Sequence, residues 1–468
     1  MRLASASSRV NGNKIILVIR GGRKTDRRHH TPPRFARHVL RGDSLDQSDW
    51  FRRRRYLHFD EPIDRSSAER LVTDASRVAR HAFYPLIHFT VKSVKVKFDK
   101  KSRRLERKEK NRPIVYASHL DSHIYSFYAE KLSALYERKL AEHGLTESVL
   151  AFRSLGKSNI HFAAEAFEKI RRFGDCDVIG LDIQGFFDNL SHNYLKDRWR
   201  ELLAATSLPA DHYSIFRSLT KYSTVPKDEL NEVLGITRRN FGIRRRRLCE
   251  PNEFRDKVRT SEKLIRTHAG KAGIPQGTSI SALLSNIYML EFDRRLSNEI
   301  SKIRGVYLRY CDDILIICPQ NTGDAFYAFA LEEIKKIQLQ IQEKKTERRK
   351  FSLSGGVLQA DKPLQYLGFL FDGQRILLRS ASLARFSERM RRGTALAKAT
   401  MESRNALRTL RGVDTRPLFK KKLYRMYSCV GRRNFLSYGY RAANIMKSKD
   451  IKRQLRPLWK RLQNEMTD

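Results

Sequence analysis

The sequence predicts an α+β chain, and three observations carry that expectation. Two apolar, β-branched stretches bring aspartates to an edge: Asp182 ends the run Val178–Asp182, and Asp312 and Asp313 form a polar break inside Val306–Cys318. Amphipathic stretches with helical period separate them. From about residue 382 the chain reads as helical and basic to its end.

Residues 1–60 read as a basic, partly ordered arm, with Arg27-Arg28-His29-His30 and Arg52 to Arg55 and little apolar periodicity; such a segment is expected to fold on nucleic acid. A helical pattern covers Ser66–Phe83, and Phe89–Phe98 alternates valines with lysines as a half-wet strand does. Lys100–Arg112 reads as a charged turn. A helix starts at Ser118, with Ile124, Phe127, Tyr128 and Leu132 on one face. His119 and His123 stand four apart on it, but no glutamate follows the first, so packing histidines are expected rather than a metal pair. After the strand ending at Asp182, residues Phe186, Phe187, Leu190, Tyr194 and Leu195 fit one helix face. The polar stretch 217–262, with Arg244 to Arg247, reads as an insertion or basic helical excursion. Gly273–Ser281 is a turn into a helix whose apolar stripe is Ile280, Leu283, Leu284, Ile287 and Leu290. Another amphipathic helix is expected over 324–345, and a short strand over Tyr366–Phe371.

Composition narrows the partner. The 468 residues carry 94 Lys plus Arg against 51 Asp plus Glu, a formal charge of +43. A compact body with that excess repels itself, and a polyanion relieves the repulsion while releasing counterions. Nucleic acid is therefore the expected partner. No apolar run approaches the ~20 residues a membrane span needs, and Met1–Val10 lacks the apolar core of a signal peptide. Five scattered cysteines with no CxxC spacing read as free thiols in a reducing, cytoplasmic setting.

The aspartates then acquire a purpose. Carboxylates with apolar flanks are costly unless a cation compensates them. Acids presented from two separate strands suit a two-metal site for phosphoryl transfer, and Mg²⁺ needs only a few carboxylates plus water and phosphate oxygens.

Several ordered segments resemble those of prokaryotic reverse transcriptases, the group that includes group II intron, retron and defence-associated enzymes. Asp182-Ile-Gln-Gly-Phe-Phe-Asp-Asn-Leu-Ser-His192 resembles the family's first metal-binding motif. Gly273-Ile-Pro-Gln-Gly-Thr-Ser-Ile-Ser281 with Asn286 resembles the template and nucleotide support, and Tyr310-Cys-Asp-Asp313 the catalytic turn. Glu343-Lys-Lys-Thr346, Tyr366-Leu-Gly368, Lys110-Asn-Arg112-Pro-Ile and Phe152-Arg153-Ser-Leu-Gly-Lys-Ser158 resemble further palm and finger motifs.

The resemblance implies a right-hand polymerase: an arm over 1–60, fingers over 61–175, a palm over 176–375 interrupted by 217–262, and a helical thumb over 376–468. It implies RNA-directed DNA polymerase activity with two Mg²⁺ ions, Mn²⁺ being the alternative. Asp182 and Asp312 would ligate both metals with the Ile183 carbonyl, and Asp313 would be the secondary acid. Arg112 and Arg153 would grip the incoming triphosphate. Phe187 would be the steric gate against ribonucleotides, Gln276 and Gly277 would contact the nascent base pair, and Lys345 would help protonate pyrophosphate. The implied partners are dNTPs, a structured non-coding RNA template and the DNA product, with a homo-oligomer or a second reverse transcriptase as further options.

Ala151 stands where the intron enzymes have glycine, Cys311 where alanine is commoner, and no Val-Thr-Gly like that of retrons is present. After Gly368 about one basic helical domain is expected, with no endonuclease pattern, and together with the long basic N-terminal arm this resembles most the free-standing, defence-associated class. A mobile-element enzyme, and a non-catalytic RNA-binding scaffold on the same fold, are the rivals.

Overall fold

The computed structural model describes residues 50–99, 104–237 and 245–467. Residues 1–49 of the expected arm lie outside the described residues, but 50–60 are no loose arm. Trp50, His58 and Phe59 are buried, Phe51 stacks on His123 at 4.7 Å between ring centroids, and Tyr56 stacks on His119 at 5.2 Å. Aromatic rings interleave the arginines here, and each ring brings roughly 150–250 Å² to bury, which outweighs the polar pattern. His119 and His123 are thus packing histidines.

Helices α1 (Arg65–Val72) and α2 (Ala75–Ala79) replace the single helix expected over Ser66–Phe83. The Asp74 carboxylate accepts from the amides of Ser76 and Arg77, which starts a new helix and ends the old one. Strand β1 (Leu86–Asp99) pairs antiparallel with β2 (Arg104–Tyr116). Most of the segment expected as a charged turn, Lys100–Arg112, is therefore strand, paired with β1 from Arg104 onward. Helix α3 (His119–Glu142), capped by Ser118, and α4 (Asn159–Phe173) lead to β3 (Cys176–Asp182).

A 3₁₀ turn at Phe186–Asp188 precedes α5 (His192–Leu202), so the residues expected on one helix face divide between two elements. The Asn189 amide donates to the Gln184 carbonyl and closes that turn locally. Then come α6 (Ala210–Thr220), β4 (Ser223–Pro226), α7 (Lys227–Val233), the single turn α8 (Pro251–Glu253) and β5 (Arg266–Thr267). This stretch is no excursion. Strand β4 lies parallel to β1, and Val225, Leu230, Leu248 and Val258 share a core with Phe59 and Ile87.

Helix α9 (Ser281–Lys302), β6 (Val306–Tyr310), β7 (Asp313–Pro319) and α10 (Gly323–Lys336) follow. The helix expected over 324–345 stops at Lys336, where Gln338 turns left-handed (φ 60°), and a separate 3₁₀ turn covers Glu343–Lys345. Strands β8 (Glu347–Ser354), β9 (Val357–Ala360), β10 (Leu364–Tyr366), β11 (Phe369–Phe371) and β12 (Ile376–Leu378) come next. The strand expected over Tyr366–Phe371 is a hairpin, because Leu367 and Gly368 both take positive φ (47° and 95°). Four helices end the chain: α11 (Ser380–Leu410), α12 (Lys420–Tyr427), α13 (Phe435–Ile445) and α14 (Lys449–Thr467).

Among the described residues three sheets result, ordered β2-β1-β4-β5, β6-β7-β3-β8-β9 and β10-β11-β12. The central strands of the five-stranded sheet, β3 and β7, are covered on both faces. Ile179, Leu181, Ile314 and Ile316 belong to a core shared with α9 and α10. Val178, Leu315, Ile317 and Phe351 belong to one shared with α4, the three-stranded sheet and the C-terminal helices. That double burial is why β3 and β7 read as continuous apolar runs, and it holds their ends in fixed register. Among the described residues no helix is long and apolar enough to cross a membrane.

The strap before α1 makes a pH prediction. His58 is fully buried, its Nδ1 accepts from the Phe59 amide, and burial pushes its pKa down to about 3. The unfolded chain binds that proton near pH 6.5 and the native state does not. Its contribution is therefore intact above pH 6.5 and shrinks as pH falls, by about 2 kcal/mol at pH 5. Denaturant melts at pH 7.5 and pH 5 should show this loss, and His58→Gln should remove that part of it. Equal pH slopes in the two proteins would refute the assignment.

Candidate active site

Tyr310 pairs with Asp313 across the β6–β7 hairpin, leaving Cys311 and Asp312 as a two-residue loop. Cys311 has φ 60°, at the first loop position, where such hairpins favour glycine. Asp313 opens β7 and lies directly opposite Asp182, the last residue of β3. Residues so paired project from the same sheet face with Cβ atoms ~5 Å apart. The Ile183 amide donates to the Asp312 carbonyl at 3.2 Å. In extended chain the N–H and C=O of one residue point the same way, so the Ile183 carbonyl faces the turn as well.

Charge is crowded here. Burial, then the Asp312 and Asp182 carboxylates, push the Asp313 carboxyl up to about 7. The Lys345 ammonium pairs with Asp182, its side chain 47 % exposed against 19 % for the aspartate. Its 3₁₀ turn is placed by the Gln342 amide, which donates to the Asp182 carbonyl at 2.7 Å, and by the Gln184 amide on the Gln340 carbonyl at 2.8 Å. Among the described residues no three His, Cys, Asp or Glu side chains already stand at metal-ligand spacing. The available donors are all hard oxygens in a negative, half-buried setting, a set that fits Mg²⁺ completed by water and substrate oxygens.

The remaining expected site residues divide. Phe187 is half-buried against Phe186, the fully packed ring of the pair (5.5 Å between centroids). Its carbonyl accepts from the Ile274 amide at 2.9 Å, which joins it to the loop carrying Gln276 and Gly277. The Gln276 carbonyl accepts from the Val115 amide at 2.9 Å. A Cβ on Gly277 (φ 122°) would lie 2.2 Å from the Val115 carbonyl oxygen, so only glycine lets the loop cross β2 there. Gln276 lines a cleft of about 190 Å³ with His88, Pro113, Asp188 and Ile274. Arg112 is exposed on β2, on the strand face opposite Pro113 and Val115.

Arg153 is not presented to the cleft. Its guanidinium forks onto Glu137 (2.8 and 2.6 Å) and donates to the Thr146 and Val149 carbonyls (2.5 and 2.6 Å), and its side chain is 2 % exposed. The fork geometry that suits a phosphate suits a carboxylate equally well, and here an internal glutamate has taken it.

A family model for reverse transcriptase (RNA-dependent DNA polymerase) matches residues 99–371, more than half of the chain. The chain belongs to this family. The matched region contains Asp182, Asp312, Asp313 and every other expected site residue. Among solved structures it is similar to apo telomerase from Candida tropicalis truncated from its C-terminal domain (10 % identity, 68 % of this chain and 61 % of that one, TM-score 0.37). Telomerase from Candida albicans in complex with a TWJ fragment of telomeric RNA gives 13 % identity over 85 % and 66 % of the two chains, TM-score 0.37. The RNA-dependent RNA polymerase of a human picobirnavirus gives 12 % over 62 % and 43 %, TM-score 0.33. The chain thus spans under two thirds of those chains' own lengths. No curated protein matches the sequence.

One buried ion pair beside the site escaped the sequence reading. Arg309 sits inside the apolar strand Val-Tyr-Leu-Arg-Tyr, and its guanidinium is fully buried in an ion pair with Asp293 of α9. A lone charge in a doubly covered strand, with a lone acid in the apolar stripe of the preceding helix, was the available signal.

Proposed function

We propose that this reverse transcriptase is an active RNA-directed DNA polymerase that adds deoxynucleotides to a 3′-hydroxyl or a protein hydroxyl. The observation that carries the reading is the register that sets Asp313 against Asp182, beside Asp312 in the hairpin loop, within the matched region. Asp182, Asp312, Asp313 and the Ile183 carbonyl would hold two Mg²⁺ ions, or Mn²⁺. When bound, such ions activate the attacking hydroxyl and neutralise charge on the leaving pyrophosphate.

The chain's own residues do the rest. Phe187 is the half-buried ring available to crowd a 2′-hydroxyl, whereas Phe186 is spent on packing. The Gln276–Gly277 backbone is pinned to β2, and Gln276 lines the neighbouring cleft where the nascent base pair would be met. Arg112 is exposed on the strand face opposite the Gln276 cleft, so its role at the triphosphate rests on the sequence resemblance alone. Lys345 becomes free to meet pyrophosphate once a cation takes its place at Asp182. An excess of basic residues over acids, +43 overall, supports a nucleic-acid template. A structured non-coding RNA as that template, and a role in antiphage defence, rest on the sequence resemblance alone.

Purified protein with Mg²⁺, labelled dNTPs and its co-purified RNA should make DNA, and Asp312→Asn with Asp313→Asn together should stop synthesis. Synthesis that survives both changes refutes the reading. RNA binding and phenotype that survive without synthesis would favour the scaffold instead. The same assay with ribonucleotides reads the gate: Phe187→Ala should admit them, and unchanged selectivity would remove that role.

A further inference from the structure

We propose that Arg309, together with Asp293 and Asn286, is a positioning lock that sets where the Asp312–Asp313 turn stands; this rests on the polymerase reading above. Arg309 touches no reacting atom and acts through the turn's backbone.

The guanidinium makes four hydrogen bonds. Its Nε and Nη2 donate to the two Asp293 carboxylate oxygens, each at 2.6 Å. Its Nη1 donates to the Asn286 side-chain oxygen at 3.1 Å and to the Cys311 carbonyl at 3.2 Å. The Tyr307 hydroxyl donates to the same Asp293 at 2.5 Å. The Asn286 amide in turn donates to the Ala151 carbonyl at 2.9 Å. One planar cation therefore joins three parts. These are α9, which begins just after the Gln276–Gly277 loop, the 148–151 segment, and the residue immediately before Asp312.

Two features separate this from simple core packing. A buried ion pair gives a fold no more stability than apolar residues of the same volume, so stability alone does not call for Arg309. The fourth bond also ends on Cys311, a non-glycine residue held at φ 60°, a conformation that costs about 1–2 kcal/mol. Such a backbone persists only where its surroundings over-determine it, and the Arg309 donor supplies that constraint from below. The segment on the far side is fixed too. The Arg309 amide donates to Ser148 at 2.8 Å and the Leu150 amide to the Arg309 carbonyl at 2.9 Å, while Arg153 grips the Thr146 and Val149 carbonyls. Arg153, expected on the triphosphate, instead braces the frame of this lock.

The test uses the full chain in two variants. Arg309→Lys keeps the buried charge but loses the fork. Arg309→Met with Asp293→Leu replaces the pair by apolar volume. Three readouts are taken: thermal melting, Mn²⁺ binding by calorimetry without nucleotide, and kcat and KM for dNTP. The double variant should melt close to wild type, yet bind Mn²⁺ about tenfold or more weakly, the range seen when groups behind a metal ligand are removed. Both variants should lose kcat to a similar degree with the KM for dNTP little changed. Wild-type Mn²⁺ affinity and kcat in folded variants would overturn the proposal; if the double variant fails to fold, Arg309→Lys decides. A wild-type protein that binds Mn²⁺ but incorporates no dNTP defeats the polymerase reading, while the affinity shift still judges the lock. One that binds no Mn²⁺ overturns the lock as well.

Discussion

Asp182→Asn is expected to lower nucleotide addition by about 10³-fold or more, the scale of losing several kcal/mol of metal-mediated charge stabilisation. The fold should not suffer. The Asp182 side chain is paired with Lys345, whose ammonium is nearly half exposed, and such a pair is worth ~0–1 kcal/mol. Against that small loss stands a gain, because Asp182 is one of the two carboxylates crowding the half-buried Asp313. Asparagine keeps the shape and the strand end while removing one of the crowded charges. Melting temperature is therefore expected to stay level or rise by a few degrees while activity disappears. This split between stability and activity marks a site whose charges serve chemistry at some cost to the fold. Single-turnover dNTP incorporation and a thermal melt on the same sample check both halves. A variant that keeps a tenth of wild-type activity would remove Asp182 from the site. A variant that loses activity only because it unfolds would leave the assignment without support.

How much of this was visible in the sequence depends on what surrounds each residue. The strands that carry Asp182 and Asp313 were legible because they are covered on both faces, so apolar runs end abruptly where the acids begin. Which acid faces Asp182 was not. The resemblance implies that Asp182 and Asp312 share the metals but says nothing of strand pairing, and the hairpin register sets Asp313 opposite Asp182 with Asp312 in the loop. A register differing by one residue moves every side chain to the other face, and no local pattern reports it. The break at Asp74 and the hairpin at Leu367–Gly368 were missed for a different reason. Each hangs on one capping carboxylate or two positive φ angles inside an otherwise continuous pattern. Arg153 shows the limit of reading residue type. Its fork matches phosphate or carboxylate, and only the fold brings Glu137 to it from the neighbouring helix.

Arg309→Met alone is expected to be among the most destabilising single changes in the palm, by about 3–5 kcal/mol. Breaking a buried pair differs from replacing it. With the guanidinium gone, Asp293 remains fully buried with the Tyr307 hydroxyl as its donor from the lock, and the Asn286 side-chain oxygen loses its donor. An uncompensated buried carboxylate has its folded pKa raised above the unfolded value of about 4. The native variant therefore binds a proton that the unfolded chain releases. Its deficit relative to wild type is full above the raised folded pKa and shrinks as pH falls toward 4. Urea denaturation of both proteins at pH 8 and pH 5 measures this, and the gap should narrow at pH 5. His58 titrates over the same range in both proteins, so it cancels in the difference. Adding Asp293→Leu should return most of the lost stability at pH 8, because it removes the stranded charge. Were the double variant as unstable as the single one at both pH values, lost volume and not stranded charge would be the cause. The same result would deprive the lock of its apolar control, and Arg309→Lys would have to carry the comparison of turn position against fold.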